Sequence, residues 1–293
     1  MKIEKALIIT NQKIGHNEFK IPRFIEEGEK LGIEFDVKKN DGSLVFIDEF
    51  GRGKTTLDKY KFVIYLDKDY YAAKILESLG YKLFNSADFI RVCDDKILTY
   101  LYGLNNGIDM IKTIPCPLVF SKELNEDNFS FLKNAEKLFS YPYIFKRVYS
   151  SLGEGVYLVN NLDEAKKLYS SYYKETTLLQ EYLEECKGSS IRVIVIDKKI
   201  FGAYNRYCDN DFRSNYQSSA GGRKYNLSKK DVALINKIID VYDIYYAGID
   251  LLIKKNGNPV LCEINSNAFF FEFEKVTGLN VAKAFLKMCI KYS

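Results

Sequence analysis

The sequence predicts an α/β fold that begins with a parallel sheet covered by helices and continues with mixed α and β units. Two observations predict it. Strand-like apolar runs alternate with helical patterns through the first ninety residues, and longer strand patterns interrupted by helical segments fill the rest. The chain has 293 residues, of which 47% are hydrophobic and 28% charged. This composition is typical of globular proteins, so we expect the whole chain to be folded.

Residues 1–93 are predicted to form one domain with a parallel sheet. Strand patterns and the helical patterns between them lie at residues 5–10, 22–31, 33–38, 62–66, 70–79 and 81–84. Gly32 and Gly80 follow the two helical patterns and end them. Because strands that alternate with helices pair in the same direction, this order predicts a parallel sheet.

The remainder is predicted to form two α+β domains, residues 94–180 and 181–293. In the first, helical and strand patterns lie at residues 97–105, 143–147, 156–159, 162–173 and 177–180. In the second, strand patterns at residues 191–196, 200–207, 246–253 and 259–265 alternate with a helical pattern at 229–242 and a closing one at 280–292. We find no internal repeat and no low-complexity linker.

Composition and charge argue against several classes of protein. The net charge of +4 is spread along the chain, whereas a nucleic-acid-binding protein would show clustered basic charge. The longest apolar runs are far shorter than the roughly 20 residues of a membrane-spanning helix. Six scattered cysteines and one histidine suit neither a zinc site nor a disulfide framework. Because the N-terminus shows no secretory signal, we expect a cytoplasmic protein.

The segment Gly51-Arg-Gly-Lys54-Thr resembles the end of a phosphate-binding loop. That motif also needs a glycine five positions before the one that precedes the lysine, and this chain has Asp48 there. A basic hairpin or loop is therefore the better interpretation.

A strand-end lysine and a glycine loop form the first candidate site. Lys146 ends an apolar strand, and Gly153 and Gly155 lie in the loop that follows. Glycines let a backbone approach an anion closely, so this pair could clamp a polyphosphate or could equally be a solvated turn. The strand at 178–183 then runs into polar residues that could bind the edge of a heteroaromatic ring, although ordinary strand termination explains them as well.

Acidic and amide side chains interrupt two apolar strands near the C-terminus. Glu263 and Asn265 are two positions apart and would project from one face of a strand. If Asp250 lies on an antiparallel neighbour, three oxygen ligands suitable for Mg²⁺ converge. The alternative is a polar sheet face, but acidic groups in apolar strands are costly unless they are paired or metal-bound. Arg213, in a polar loop, could hold phosphate or carboxylate oxygens or belong to a plain surface loop.

Taken in order, these segments resemble the RimK-like branch of the ATP-grasp ligases, from about Asp94 to the C-terminus. The resemblance rests on Cys93-Asp94-Asp95-Lys96, Lys146 with Gly153 and Gly155, Gln180-Glu181-Tyr182, Gly188, Ile191-Arg192, Phe212-Arg213-Ser214-Asn215, Gly221-Gly222, Gly248-Ile249-Asp250, Glu263-Ile264-Asn265 and Glu274-Lys275-Val276-Thr277-Gly278. Each motif is unspecific alone, but their order is not.

The resemblance implies an ATP-grasp fold with an N-terminal parallel-sheet domain and ATP held between two α+β subdomains. It implies a reaction in which the γ-phosphate activates a carboxylate and an amine then attacks the acyl phosphate. The implied ATP-binding residues are Lys96, Lys146, Gln180, Glu181, Tyr182, Ser190, Arg213, Ser214 and Asn215. Arg213 and Asn215 are the implied catalytic residues. Asp250, Glu263 and Asn265 would hold two Mg²⁺ ions, for which Mn²⁺ is a substitute.

Two departures from the family pattern leave the substrate open. Ser190 stands where the family commonly has an acidic residue for the ribose hydroxyls, so Glu184 or Glu185 substitutes for it or nucleotide affinity is weaker. The aromatic run 269–273 follows Asn265, where the family often has a small loop containing Pro and Gly. Such a run is usually core, but beside a magnesium site it could shape an acceptor pocket.

The leading hypothesis is therefore an ATP- and Mg²⁺-dependent carboxylate–amine ligase that acts on amino acids or peptides. A protein acceptor and a homo-oligomer remain open. The alternative hypothesis is a nucleotide-binding regulatory or scaffold protein with weak catalysis. A third, an RNA-associated protein, is supported only by the positive charge.

Overall fold

A computed structural model describes residues 4–13, 15, 17–151, 153–214 and 221–293, with the side chain of Asn17 excepted. The candidate residue Asn215 lies outside these described residues. Within them, no helix combines the length and apolar character needed to cross a membrane.

The N-terminal part contains a four-stranded parallel sheet. Its elements are β1 (Glu4–Asn11), α1 (Asn17–Lys30), β2 (Ile33–Asn40), β3 (Val45–Ile47), β4 (Gly53–Thr55), β5 (Val63–Leu66), α2 (Tyr70–Ser78) and β6 (Leu83–Phe84). The strands pair in the order β2-β1-β5-β6, as the alternating pattern predicts. Strands β3 and β4 form a separate antiparallel hairpin that carries Lys54, so the hairpin interpretation of this segment is confirmed.

Two short helices lead from the parallel sheet to the central part, α3 (Ala87–Asp94) and α4 (Lys96–Tyr102). Asp95 separates them and caps α4, because its carboxylate accepts hydrogen bonds from the backbone N–H groups of Ile97 and Leu98. The sequence predicts only a helix over 97–105. Helix α3, which is capped by Ser86, was not predicted.

The central part is an antiparallel sheet with two helices. Its elements are β7 (Thr113–Pro115), α5 (Ser130–Ala135), β8 (Tyr143–Arg147), β9 (Val156–Val159), α6 (Leu162–Tyr172) and β10 (Thr177–Glu181), with a 3-10 helix at Glu126–Phe129 before α5. The strands pair in the order β7-β10-β8-β9. Phe145, Tyr169 and Leu179 are buried between the sheet and the helices.

The C-terminal part is a five-stranded antiparallel sheet covered on both faces. Its elements are β11 (Ser189–Ile196), β12 (Lys199–Tyr207), β13 (Gly221–Lys224), α7 (Lys229–Tyr242), β14 (Tyr246–Ile253), β15 (Pro259–Asn265), α8 (Phe271–Thr277) and α9 (Val281–Tyr292). The strands pair in the order β13-β12-β11-β14-β15. Val193 and Val195 face α7, whereas Ile194 and Ile196 pack with residues of α9. Alternate side chains of β11 therefore pack into two different hydrophobic cores.

The N-terminal and C-terminal parts share one of these cores. Phe24 of α1 lies 5.8 Å from the ring of Phe270 and 5.3 Å from that of Phe285 on α9. The division of the chain at residues 93 and 180 stays a prediction.

Candidate functional site

A cleft between the central and C-terminal sheets brings the predicted site residues together. It encloses about 850 Å³, including space open to solvent. Predicted residues that line it are Lys96, Lys146, Gln180, Glu181, Tyr182, Ser190, Arg213, Ser214, Asp250 and Glu263. Two loop glycines differ: Gly153 lines the cleft and Gly155 does not.

Two lysines reach the cleft from different elements. Lys146 Nζ, at the end of β8, donates to Gln180 Oε1 at 2.5 Å. Lys96 Nζ, at the start of α4, donates to the carbonyl oxygens of Val148 (3.0 Å) and Ser150. Burial lowers the pKa of Lys96, and the negative charge of Glu263 opposes that shift. Within the described part of the chain neither ammonium forms an ion pair, so both charges are available to an anionic ligand.

Gln180 holds Lys146 in place. Its side chain is 2% exposed, and its Nε2 donates to the hydroxyls of Tyr100 and Thr113, both at 2.9 Å. Both amide hydrogens are thus used by protein partners, and Oε1, bound to Lys146, keeps one acceptor site. A hydrogen bond donated by Gln180 to the nucleotide would require one of the bonds to Tyr100 or Thr113 to break.

Asp250 lies at the buried floor of the cleft between two arginines. Arg192 binds it through two nitrogens, with Nη2 2.8 Å from Oδ2, and Arg206 Nη2 lies 2.7 Å from the same oxygen. Burial alone would raise the pKa of Asp250, but the two guanidinium groups outweigh it and lower the pKa. Arg206 is not among the site residues that the sequence predicts. Strand alternation places Arg206 on the same face of β12 as Tyr204, which was the available signal.

The predicted metal ligands lie on neighbouring strands, as expected. Asp250 pairs with Glu263 and Gly248 with Asn265 in the β14–β15 ladder. Asn265 Nδ2 lies 3.5 Å from Asp250 Oδ2, and Asn265 itself is not among the residues that line the cleft. The side chain of Glu263 forms no hydrogen bond or ion pair with any other described residue.

These side chains fit a magnesium ion by their chemistry, since two carboxylates and an amide oxygen are hard donors. No group of three or more His, Cys, Asp or Glu side chains is placed to hold a metal ion in the described ranges. A magnesium ion here would therefore need Asn265 as its third ligand. It would also share Asp250 with the two arginines that bind this carboxylate. Glu263 is the carboxylate with no competing partner.

Ser190, the departure from the family pattern, is joined to the same network. Its hydroxyl lies 2.6 Å from the hydroxyl of Ser214 and accepts a hydrogen bond from Arg206 Nη2 at 2.9 Å. Glu184 and Glu185 are exposed and neither lines the cleft, so the expectation that one of them substitutes for an acidic residue at 190 finds no support.

Arg213 bridges the two sides of the cleft. Its Nε and Nη2 donate to Asp211, each at 2.8 Å, and its Nη1 donates to the carbonyl oxygen of Gly153 at 2.7 Å. It therefore ties the loop after β12 to the glycine loop after β8. The other predicted catalytic residue, Asn215, lies beyond the described ranges.

The aromatic run after Asn265 divides between core and surface. Phe270 and Phe273 are fully buried, whereas Phe269 and Phe271 are 36% and 44% exposed. The ring of Phe271 packs 4.8 Å from that of Phe19 on α1. The core interpretation thus holds for two of the phenylalanines, and the other two lie at the surface.

Comparison with known proteins adds a family and a fold. A model of the RimK-like ATP-grasp domain matches residues 94–289. The chain is 30% identical to the uncharacterized protein MG012 of Mycoplasma genitalium, over 77% of this chain and 79% of that protein. It is 29% identical to human N-acetylaspartylglutamate synthase A, over 73% of this chain and 54% of the synthase.

Among solved structures, D-alanine–D-alanine ligase from Bacillus anthracis superimposes with a TM-score of 0.74 at 18% identity, covering 98% of this chain and 96% of the ligase. At that identity the similarity concerns the fold alone. The α/β, ATP-grasp fold expected from the sequence is confirmed.

Proposed function

The chain belongs to the RimK-like ATP-grasp family, and from this premise we propose that it is an ATP- and Mg²⁺-dependent carboxylate–amine ligase. The γ-phosphoryl group would pass to a carboxylate, and an amine would displace phosphate from the acyl phosphate to give an amide, ADP and phosphate. Membership of the family confirms the expectation of an ATP-grasp enzyme of the ligase class. The acceptor and the course of the reaction are the proposed part.

One observation carries the proposal: cationic side chains and partly unpaired oxygen ligands line a single cleft. Lys96, Lys146 and Arg206 reach it together with Asp250 and Glu263. Phosphoryl transfer needs positioning and charge neutralisation rather than a covalent nucleophile, and these groups supply both. Asp250, Glu263 and Asn265 would hold magnesium, which when bound neutralises phosphate oxygens. Two ions, with Mn²⁺ as a substitute, belong to this proposal.

The remaining residues would divide between nucleotide and substrate. Lys96 and Lys146 would bind phosphates. Glu181 and Tyr182 would lie at the adenine end, with Gln180 orienting Lys146. Ser190 and Ser214 would adjoin the nucleotide through Arg206, and Arg213 would stabilise the transferred phosphoryl group. Asn215 stays a sequence-based prediction.

An amino acid or peptide is the proposed substrate class. One relative is named a synthase of N-acetylaspartylglutamate, and a structural neighbour is a D-alanine–D-alanine ligase. Both proteins are named for products built from small amino-acid units. A peptide or protein acceptor, a homo-oligomer and a cytoplasmic location remain parts of the proposal.

Glu263→Gln tests the proposed function. Loss of this carboxylate should lower ADP release by more than about 100-fold, since the variant keeps the shape of the side chain and loses its charge. ADP release would be measured with MgATP and panels of carboxylates and amines. Glu126→Gln, at an 81% exposed side chain on the central part, is the matched control and should keep full activity.

Two results would contradict the ligase proposal: unchanged ADP release by Glu263→Gln, or absence of nucleotide binding to the wild-type protein in calorimetry. Nucleotide binding without turnover on any substrate panel would favour the second candidate, a regulatory protein. The Ser190–Ser214–Arg206 network, which stands in place of an acidic side chain, is the observation that favours that candidate.

A further inference from the structure

Three consecutive carbonyl groups after β15 are each held by a distant side chain. Asn85 Nδ2 donates to the carbonyl oxygen of Ser266 (2.6 Å), Lys20 Nζ to that of Asn267 (2.9 Å), and the Tyr246 hydroxyl to that of Ala268 (3.0 Å). These residues lie outside any helix or strand, so their backbone groups lack ladder partners. We call residues 266–268 the post-strand turn. It begins directly after Asn265.

Two of the three holding side chains come from the N-terminal part. Lys20 lies on α1 and is 2% exposed, and Asn85 follows β6 and is 6% exposed. The ammonium of Lys20 also donates to Asn267 Oδ1. Both side chains therefore reach the post-strand turn from chain positions about 180 to 250 residues away.

The buried position of Lys20 is energetically unfavourable for a charged ammonium. Within the described residues its ammonium forms no ion pair, and two of the acidic groups on the same helix, Glu26 and Glu27, pair with Arg23 and Lys30 instead. Burying an ammonium against neutral oxygens costs free energy, and an uncharged side chain could fill the same space. The cost indicates a role for Lys20 beyond packing.

The end of β15 is held by β14 on one side and, up to Cys262, by the Tyr100 hydroxyl, which donates to the carbonyl oxygens of Leu261 and Cys262. In the described sheet β15 is an edge strand, and the cross-strand neighbour of Asn265 is Gly248, which has no side chain to pack against it. The side chain of Asn265 itself makes only a long contact, 3.5 Å from Nδ2 to Asp250 Oδ2, so the turn that follows contributes to its direction.

We propose that Lys20 and Asn85 are positioning residues that hold the post-strand turn and thereby orient Asn265 and Glu263 for the metal ion. The inference rests on the proposed function, because it concerns the same site. It makes the N-terminal part a direct support of the metal ligands, although that part contributes no metal ligand of its own. Partners that orient metal ligands typically change metal affinity by 10- to 100-fold.

Mn²⁺ binding in the presence of a saturating, non-hydrolysable ATP analogue tests this inference. Lys20→Met and Asn85→Ala should each weaken Mn²⁺ affinity about tenfold, while affinity for the analogue without metal stays within about twofold. Lys20→Arg should restore part of the loss, since a guanidinium can donate to the same two oxygens. Lys30→Met, on the exposed side of α1, is the matched control and should bind Mn²⁺ as the wild type does.

Hydrogen exchange provides a readout that is independent of the metal and of activity. The amides of residues 266–269 should exchange faster in Lys20→Arg and Asn85→Ala, which also covers the case in which Lys20→Met does not fold. Tyr246→Phe should accelerate the same amides, whereas Tyr65→Phe, which removes a comparable hydroxyl bond to the Asp69 carbonyl, should not.

The outcomes separate the inference from the proposed function. A wild-type protein that binds no Mn²⁺ with the analogue would overturn the proposed function. A wild type that binds Mn²⁺, with Lys20→Arg, Lys20→Met and Asn85→Ala all binding it equally well, would overturn the inference alone. Unchanged exchange at residues 266–269 in the folded variants would overturn it as well.

Discussion

The buried carboxylate of Asp250 is bound by two guanidinium groups. Arg192 and Arg206 both bind it, and Lys96 and Lys146 face the same cleft without an ion-pair partner among the described residues. Removing one partner of a buried ion pair typically costs about 3–5 kcal/mol, because the other charge is left unpaired. Asp250 is therefore needed to neutralise the two arginines, whereas the two lysines keep their charge available for a polyanion.

Lys20 yields a prediction about stability and pH. Burial, and next the positive charge of Arg192, lower the pKa of Lys20 from 10.5 to about 7. Between these values the unfolded chain binds the proton more strongly than the folded chain does. The free energy of unfolding should therefore rise with pH from 7 to 9, by a few kcal/mol relative to Lys20→Met. Urea unfolding at pH 7, 8 and 9 measures both proteins.

Lys30→Met is the control for this pH series. The pKa of Lys30 is raised by Glu26 and Glu27, so its ammonium stays protonated over the whole range in both states and contributes no slope. Parallel pH dependence of unfolding in wild type and Lys20→Met would show that Lys20 keeps its proton in the folded protein.

Where the sequence carries a strong local pattern, that pattern was sufficient to predict the bounds of the helix or strand. Strands β8, β9, β14 and β15 and helix α7 have the bounds that the sequence predicts, because long apolar runs or clear helical spacing end at polar residues, Gly or Asn. Helix α3 was missed because it is short and its apolar positions do not distinguish helix from strand. Strand β13 was missed because Gly221-Gly222-Arg-Lys has no strand pattern, and pairing with β12 imposes the conformation.

The positions of site residues along one strand were predictable, but not all of the contacts between residues of different strands. Alternation correctly placed Glu263 and Asn265 on one face and brought Asp250 beside them. The contact between Arg206 and Asp250 was not predictable, because it depends on the register of β12 against β11. That register is set by a two-residue turn at Asp197 and Lys198, both with positive φ, and by an irregularity after Ile194. Asp is common at the first position of such a turn, but Lys stands at the second position, where glycine is usual.

Gly248 tests how closely the post-strand turn packs on the sheet. A Cβ at Gly248 would lie 2.7 Å from the Cβ of Ala268 and 3.0 Å from Cδ of Arg192. Gly248→Ala should therefore destabilise the protein by about 1–3 kcal/mol through overpacking. The double variant Gly248→Ala/Ala268→Gly should recover part of that loss, because one of the two close contacts is removed. Urea unfolding measures each variant.

The single variant Ala268→Gly completes a double-mutant cycle for this pair. The contact predicts a favourable coupling energy between the two substitutions. Additive effects of the two changes would show that the close approach of the turn and strand is not the reason why position 248 requires glycine.

At the scale of the whole molecule, the N-terminal and C-terminal parts depend on each other. The family model begins at residue 94, but Phe24, Ile8 and Phe62 share a core with Phe270 and Phe285. The post-strand turn is also held by Lys20 and Asn85, so the same interface serves both stability and the candidate site. A boundary near residue 93, as the sequence predicts, would thus separate two chain segments without separating two independent cores.

A chain truncated to residues 94–293 should consequently fail to fold as a soluble monomer. Removing residues 1–93 would expose Phe270, Phe285 and the apolar face of α9, which are buried at 0–2% exposure, and apolar patches of this kind promote aggregation. Size-exclusion chromatography and thermal unfolding would compare the truncated and full chains. Phe24→Ala in the full chain is the graded control and should cost about 3–5 kcal/mol while leaving the protein monomeric. A soluble 94–293 fragment with a cooperative thermal transition would establish instead that the family-matched region folds alone, and that the contact with α1 only adds to its stability.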